Sequence, residues 1–179
     1  MNATRFLMAA VVLSSVIGGN QANAQCSSNA GSCNTTTTAS VVVNALVKLD
    51  MSSTTTSLTS PSVAQIETGA LIADGGPTFT IKANRSWTLN IKTTAASLWT
   101  YAGSLGGTKP ISDLTWSNAA AGSYTGIGSS DAVFLSGTAA TNGLAAQAFF
   151  KTVWAAGFTQ PSNVPGTYSL PIVFTLSAP

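Results

Sequence analysis

The chain has no histidine, two cysteines and few charges: five Asp or Glu and seven Lys or Arg, so charged residues make up 7% of 179. Each scarcity removes a class of function. Without histidine the usual general base is missing, and neither a Ser-His-Asp nor a Cys-His nucleophilic arrangement can be built. The five carboxylates, Asp50, Glu67, Asp74, Asp113 and Asp131, are scattered singly, which favours neither an acidic pair for glycoside hydrolysis nor an Asp-rich calcium loop. Gly103 to Lys109 has the glycines of a phosphate loop but ends Gly-Thr-Lys, not Gly-Lys-Thr, and precedes no helical pattern. The reading is no enzyme, no cofactor and no metal.

Low charge also limits partners. Ordinary globular chains carry about 25% charged residues, so the surface here must be largely Thr, Ser, Ala, Gly and Asn. Such a surface does little to repel copies of itself. With Arg5 set aside, six basic residues face five acidic ones, and that balance builds no nucleic-acid footprint.

What is present begins with a secretory pattern. Met1 to Ala24 reads as a signal peptide, with Arg5 before an apolar run from Phe6 to Ile17 and Ala22-Asn23-Ala24 as the cleavage site. The run is about a dozen residues, short of the roughly 18 to 20 that span a bilayer, so no membrane span is expected after cleavage. The expected locale is the periplasm in transit, then the cell surface or the extracellular space. In that setting Cys26 and Cys33 read as a disulfide, with no His or carboxylate nearby to make a metal site. Residues 25–38, rich in Ser, Asn, Gly and Thr, read as a flexible arm, and residues 39–179 as one domain.

Hydrophobic alternation organises that domain. Phe79 and Ile81, then Trp87, Leu89 and Ile91, alternate with polar residues on either side of Ala83-Asn84-Arg85-Ser86, and predict a β-hairpin with one wet face. Asp74-Gly75-Gly76-Pro77 predicts the turn before it. Val63 to Ile72 carries at most a weak strand, and Ser52 to Ser60 a short edge strand. Further short strands are expected near Leu98–Tyr101, Leu114–Trp116 and Val133–Leu135. Ala145 to Ala156 is read as strand over helix, because aromatic and β-branched residues occupy its centre. Tyr168, Leu170, Ile172, Phe174 and Leu176 share one face of a last strand, and Pro171 implies an unpaired edge or a bulge there. The expected fold is an all-β, immunoglobulin-like antiparallel sandwich of about seven to nine strands.

Two further sets of residues invite a functional reading. Val41, Val43, Ala45, Val47 and Leu49 fall on one parity of Ala39 to Met51, either as the first strand of this domain or as a strand offered to another. Trp99, Tyr101, Trp116 and Tyr124 border the loop-rich half. They are either packed or arranged as a flat sugar-binding platform, using ring stacking and polar tips.

Gly166, fourteen residues from the end counted inclusively, precedes the alternation that runs through Ile172, Phe174 and Leu176. This C-terminal strand resembles that of chaperone–usher pilus subunits and the related secreted spore-coat-U-type domains. The alternating stretch from Val41 to Leu49 looks similar to the N-terminal extension with which that family completes the open sandwich of the next subunit. The resemblance implies a secreted, non-enzymatic subunit of a surface fibre, pilus or coat, assembling by β-strand addition. Its partners would be copies of itself or related subunits, with a periplasmic chaperone and an outer-membrane usher in transit. The alternative is a monomeric module that binds carbohydrate or another surface, with surface glycans as partners.

Overall fold

From Trp87 to Thr93 every second side chain is buried and those between are half exposed. This is the pattern of a strand with one face on a core. The computed structural model describes Cys26 and residues 31–179; the signal-peptide reading of residues 1–24 lies outside the described residues. Cys26 and Cys33 form a disulfide with Cα atoms 5.8 Å apart. The chain divides into two units, Met1–Val42 and Val43–Pro179, and the second carries the fold.

In chain order that unit has β1 (Val47–Met51), the helix α1 (Val63–Thr68), β2 (Ala70–Ala83), β3 (Trp87–Thr93) and β4 (Thr100–Ala102). After a single 3-10 turn at Ile111–Asp113 come β5 (Leu114–Ser117), β6 (Thr125–Gly126), β7 (Ala132–Gly137) and β8 (Thr141–Trp154). A second such turn at Pro161–Asn163 leads to β9 (Thr167–Ser169) and β10 (Ile172–Ser177). The fold is all-β and antiparallel: a five-stranded sheet in the order β1-β2-β8-β5-β6, a three-stranded sheet in the order β10-β3-β7, and the pair β4-β9. The core lies between the two larger sheets. Phe79, Ile81, Leu114, Trp116, Ala148 and Phe150 come from one, and Trp87, Leu89, Ile91 and Phe134 from the other. Phe79 meets Phe134 at 5.7 Å and Phe174 at 4.6 Å between ring centroids.

Several local expectations change. The apolar faces of Phe79–Ile81 and Trp87–Ile91 are buried as expected, but β2 and β3 are not a hairpin. β2 pairs with β1 and β8, whereas β3 pairs with β10 and β7. The short link from Asn84 to Ser86 turns the chain from one sheet into the other, so the two faces meet across the core. Asp74-Gly75-Gly76-Pro77 is not a turn but a bulged part of β2, with a register shift between Gly75 and Thr78 against β8. The bulge relieves Pro77 of donating to the ladder. Gly76 passes close over a ring: a Cβ there would lie 2.9 Å from Phe150 Cδ2.

Val63–Thr68 is helix instead of weak strand, started by a capping box in which Ser62 and Gln65 cap each other's backbone N–H. Residues 53–60 form no strand. Ala145 to Ala156 is strand through Trp154, as expected, and belongs to the long β8. The expected last strand is broken at Leu170-Pro171, which separates β9 from β10, and this break together with the two-residue β6 raises the strand count among the described residues to ten. β10 lies at the edge of its sheet, where the missing N–H of Pro171 costs least.

Candidate functional site: an open groove between two sheet edges

β1 ends the five-stranded sheet and β10 ends the three-stranded sheet, and each pairs on one side only. Beyond Met51 the chain holds to β2 through Ser52, whose N–H donates to Thr78 O at 2.9 Å and whose Oγ accepts from Thr78 N at 3.0 Å. From Ser53 to Ser60 no backbone-to-backbone hydrogen bond to any other segment forms among the described residues. The segment is strapped down at one point near its end, where Thr59 N and Oγ1 donate to the Asp74 carboxylate at 3.1 and 2.6 Å. Leu58 alone among its neighbours packs on the core.

Between this strap and the segment Gly166–Ile172 lies a groove of about 680 Å³. Its floor is the core itself: Trp99, Leu114 and Phe150 line it at depth, with Phe174 on the β10 side. The degree of cover differs sharply between strands. Trp87, Leu89 and Ile91 on β3 are 3%, 0% and 1% exposed, whereas Tyr168, Leu170, Ile172, Phe174 and Leu176, on the corresponding apolar parity of the last segment, are all only half-buried. On the facing edge Leu49 is half-buried, and Val47 and Met51, which share its parity, stay 42% and 41% exposed. The last segment and the exposed end of β1 are therefore less covered than β3, and Met51, Ile172 and Phe174 among them line the groove.

One end of the groove is polar. Lys109 is fully buried there. Its Nζ donates to Asp113 Oδ2 at 3.1 Å and to Val153 O at 2.5 Å, and sits 4.1 Å from the centroid of the Trp154 ring. Burial pushes the Lys109 pKa below its ordinary value, and the Asp113 charge opposes that shift. The neighbouring Tyr168 hydroxyl is pushed up by burial and by Tyr101, against its hydrogen bond to Val164 O. No sequence pattern announced Lys109, because its burial comes largely from β8, with Trp154 at its end, remote in the chain.

The four aromatics considered as a sugar platform do not share a surface. Trp99 and Trp116 are 8% and 7% exposed and belong to the core. Tyr101 packs on Tyr168 at 5.1 Å, and the Tyr124 ring takes Lys151 Nζ at 3.9 Å. Gly166 has a packing reason to be glycine, since it sits against Tyr101 and Ala102 O. The stretch considered as a donated strand divides in two. Val47 and Leu49 pair with Ala83 and Ile81 of β2 in this same domain. Ala45 lies between Asn44 and Leu46, which are tied to Asn84. Val41 and Val43, at 87% and 72% exposed, are in no strand.

The carboxylates are held apart in function. Asp50 pairs with Lys48, Asp131 with Lys92 and Asp113 with Lys109, while Asp74 holds the strap. Among the described residues no helix is long and apolar enough to cross a membrane. In comparison with known proteins, no family model matches the chain and no curated protein matches it significantly.

Proposed function

We propose that the protein is a secreted, non-enzymatic structural subunit of a surface fibre, pilus or coat, and that copies join when the arm preceding β1 of one enters the groove of the next. The observation that carries this reading is the half-covered face from Tyr168 to Phe174 opposite the unpaired strap. A strand laid there gains backbone hydrogen bonds on an open edge and plugs an exposed core with its alternate side chains. The arm has the matching character. Val41, Val42 and Val43 are 87%, 85% and 72% exposed, and burying each valine is worth about 1.5 to 3 kcal/mol. A chaperone that occupies the groove in the periplasm, and an usher that exchanges it for the next subunit, are the partners this reading calls for.

The test is the size of the mature protein in solution, by size-exclusion chromatography and unheated gel electrophoresis. Wild type should form multimers that resist denaturation, and Val41→Asp with Val43→Asp should abolish them while leaving the β-sheet circular dichroism intact. A wild-type chain that stays monomeric at high concentration would overturn the proposal.

A further inference from the structure

The strap from Ser53 to Ser60 and the stretch from Ala39 to Leu46 are equally long but differ in what they can offer the groove. The strap reads Ser-Thr-Thr-Thr-Ser-Leu-Thr-Ser, with Leu58 its single apolar residue, whereas residues 39–46 read Ala-Ser-Val-Val-Val-Asn-Ala-Leu. Every strap residue lines the groove, yet only Leu58 is half-buried and the rest are exposed. Leu58 packs on the core, so an aliphatic side chain of the chain itself already sits at the place a plugging strand would fill. No backbone ladder holds it there. Among the described residues the strap's hydrogen bonds to the rest of the fold are those of Thr59 to Asp74. A segment with one apolar contact, exposed backbone and one polar clasp opens at far lower free-energy cost than the sheets behind it.

We propose that the strap is the groove's own placeholder and an internal competitor of the donated arm: the arm of a second copy enters as Leu58 leaves and the Thr59–Asp74 clasp opens. The inference rests on the strand-addition reading above and adds the control of its timing. A strand paired with the free edge of β10 lies about 4.8 Å from it and sets alternate side chains on the buried cluster that Leu58 now touches. Until a donor arrives, Leu58 covers part of an apolar opening that would otherwise invite indiscriminate contacts. Its hold is weak by composition, one leucine among serines and threonines, so an arm carrying Val41 and Val43 displaces it. The rate of joining is then set by the opening of the clasp as well as by encounter.

The experiment uses the full mature chain carrying Val41→Asp and Val43→Asp, so that its own arm does not compete, and a fluorescent peptide of residues 34–46 followed by anisotropy. Adding Leu58→Ala to this protein should tighten peptide binding about three- to tenfold, the scale of half a leucine's burial. Adding Asp74→Ala instead should speed association about fivefold, the scale of the clasp's hydrogen bonds. A strap that stays and packs on the incoming strand gives the opposite sign, since Leu58→Ala then weakens binding. Hydrogen exchange supplies a second readout on a strap left unaltered. Saturating peptide should accelerate exchange at Thr59 N–H, which donates to Asp74 in the free protein, while the β10 amides slow. If the peptide binds but Leu58→Ala fails to tighten it, or Thr59 exchange is unchanged or slower, the placeholder is overturned and strand addition stands. If the peptide binds none of these proteins, both are overturned.

Discussion

Asn84 and Leu46 grip each other across the start of β1. Leu46 N donates to Asn84 Oδ1 at 2.9 Å and Asn84 N donates to Leu46 O at 3.2 Å, while Asn84 Nδ2 reaches Asn44 O at 2.8 Å. These bonds anchor the chain to the end of β2 just ahead of β1. Asn84→Ala removes the two side-chain bonds. All three residues are exposed, so water replaces much of what is lost, and the expected cost is about 1 kcal/mol in urea unfolding. The sharper readout is local: the Leu46 amide should exchange with deuterium at least several-fold faster, with the β8 amides unchanged. Unaltered Leu46 exchange would show that the β1–β2 pairing alone holds this point.

The strap over the groove hangs on Asp74. Because Thr59 is, among the described residues, its one hydrogen-bonded link to the body of the fold between Ser53 and Ser60, Asp74→Ala should release the segment without disturbing the sheets. Limited proteolysis should then cut within Thr54–Ser60 faster than in wild type, and the loss of global stability should stay near 1 kcal/mol. A strap that remains equally resistant would mean that Leu58, packed on the core, is the stronger anchor.

Gly166 approaches Tyr101 so closely that a Cβ would lie 2.9 Å from both Tyr101 Cζ and Ala102 O. The backbone oxygen belongs to β4, which pairs with β9, so it yields only if that pair shifts. Gly166→Ala should therefore destabilise the protein by about 1 to 3 kcal/mol, whereas Gly126→Ala, where a Cβ meets nothing within 4 Å, should cost well under 1 kcal/mol. Equal urea midpoints for the two variants would refute the packing account.

The sequence made the inside and outside of the sandwich legible but not the pairing. Phe79, Ile81, Trp87, Leu89 and Ile91 are all buried, because period-two alternation reports which face of a strand is apolar. It carries no information about the neighbour on either side. A link as short as Asn84–Ser86 therefore served equally for a hairpin and for a crossing between sheets. Asp74-Gly75-Gly76-Pro77 misled for a similar reason: residues that make turns also make bulges, and the deciding fact was Phe150 beneath Gly76. The capping box at Ser62 and Gln65 was there to be read and marks α1. Trp99 and Trp116 sit in segments too short for parity to assign a face. Of the groove, the wall from Tyr168 to Phe174 was visible in the alternation, while Lys109, Thr152 and the strap became part of one site only through tertiary contact.

Lys109 gives the protein a dependence on pH with a determinate sign. Burial lowers its pKa in the folded state below the value of about 10.4 that it has in an unfolded chain. Between those two values the unfolded chain binds more protons than the folded one, so folding stability rises as pH increases through that window. Below the folded value both states are protonated, and the full cost of enclosing the ammonium remains. Tyr168 acts oppositely above about pH 10, because its raised folded pKa means that the unfolded chain releases that proton first. The rise is therefore to be sought below about pH 10, where Tyr168 does not yet oppose it, by urea midpoints at fixed ionic strength. Lys109→Met keeps the bulk of the side chain, loses the charge and leaves Asp113, which is 21% exposed, open to water. Its midpoint should be flat over the same interval. A wild-type midpoint that falls across it would mean that Asp113 and the Trp154 face hold the ammonium more strongly than burial opposes it.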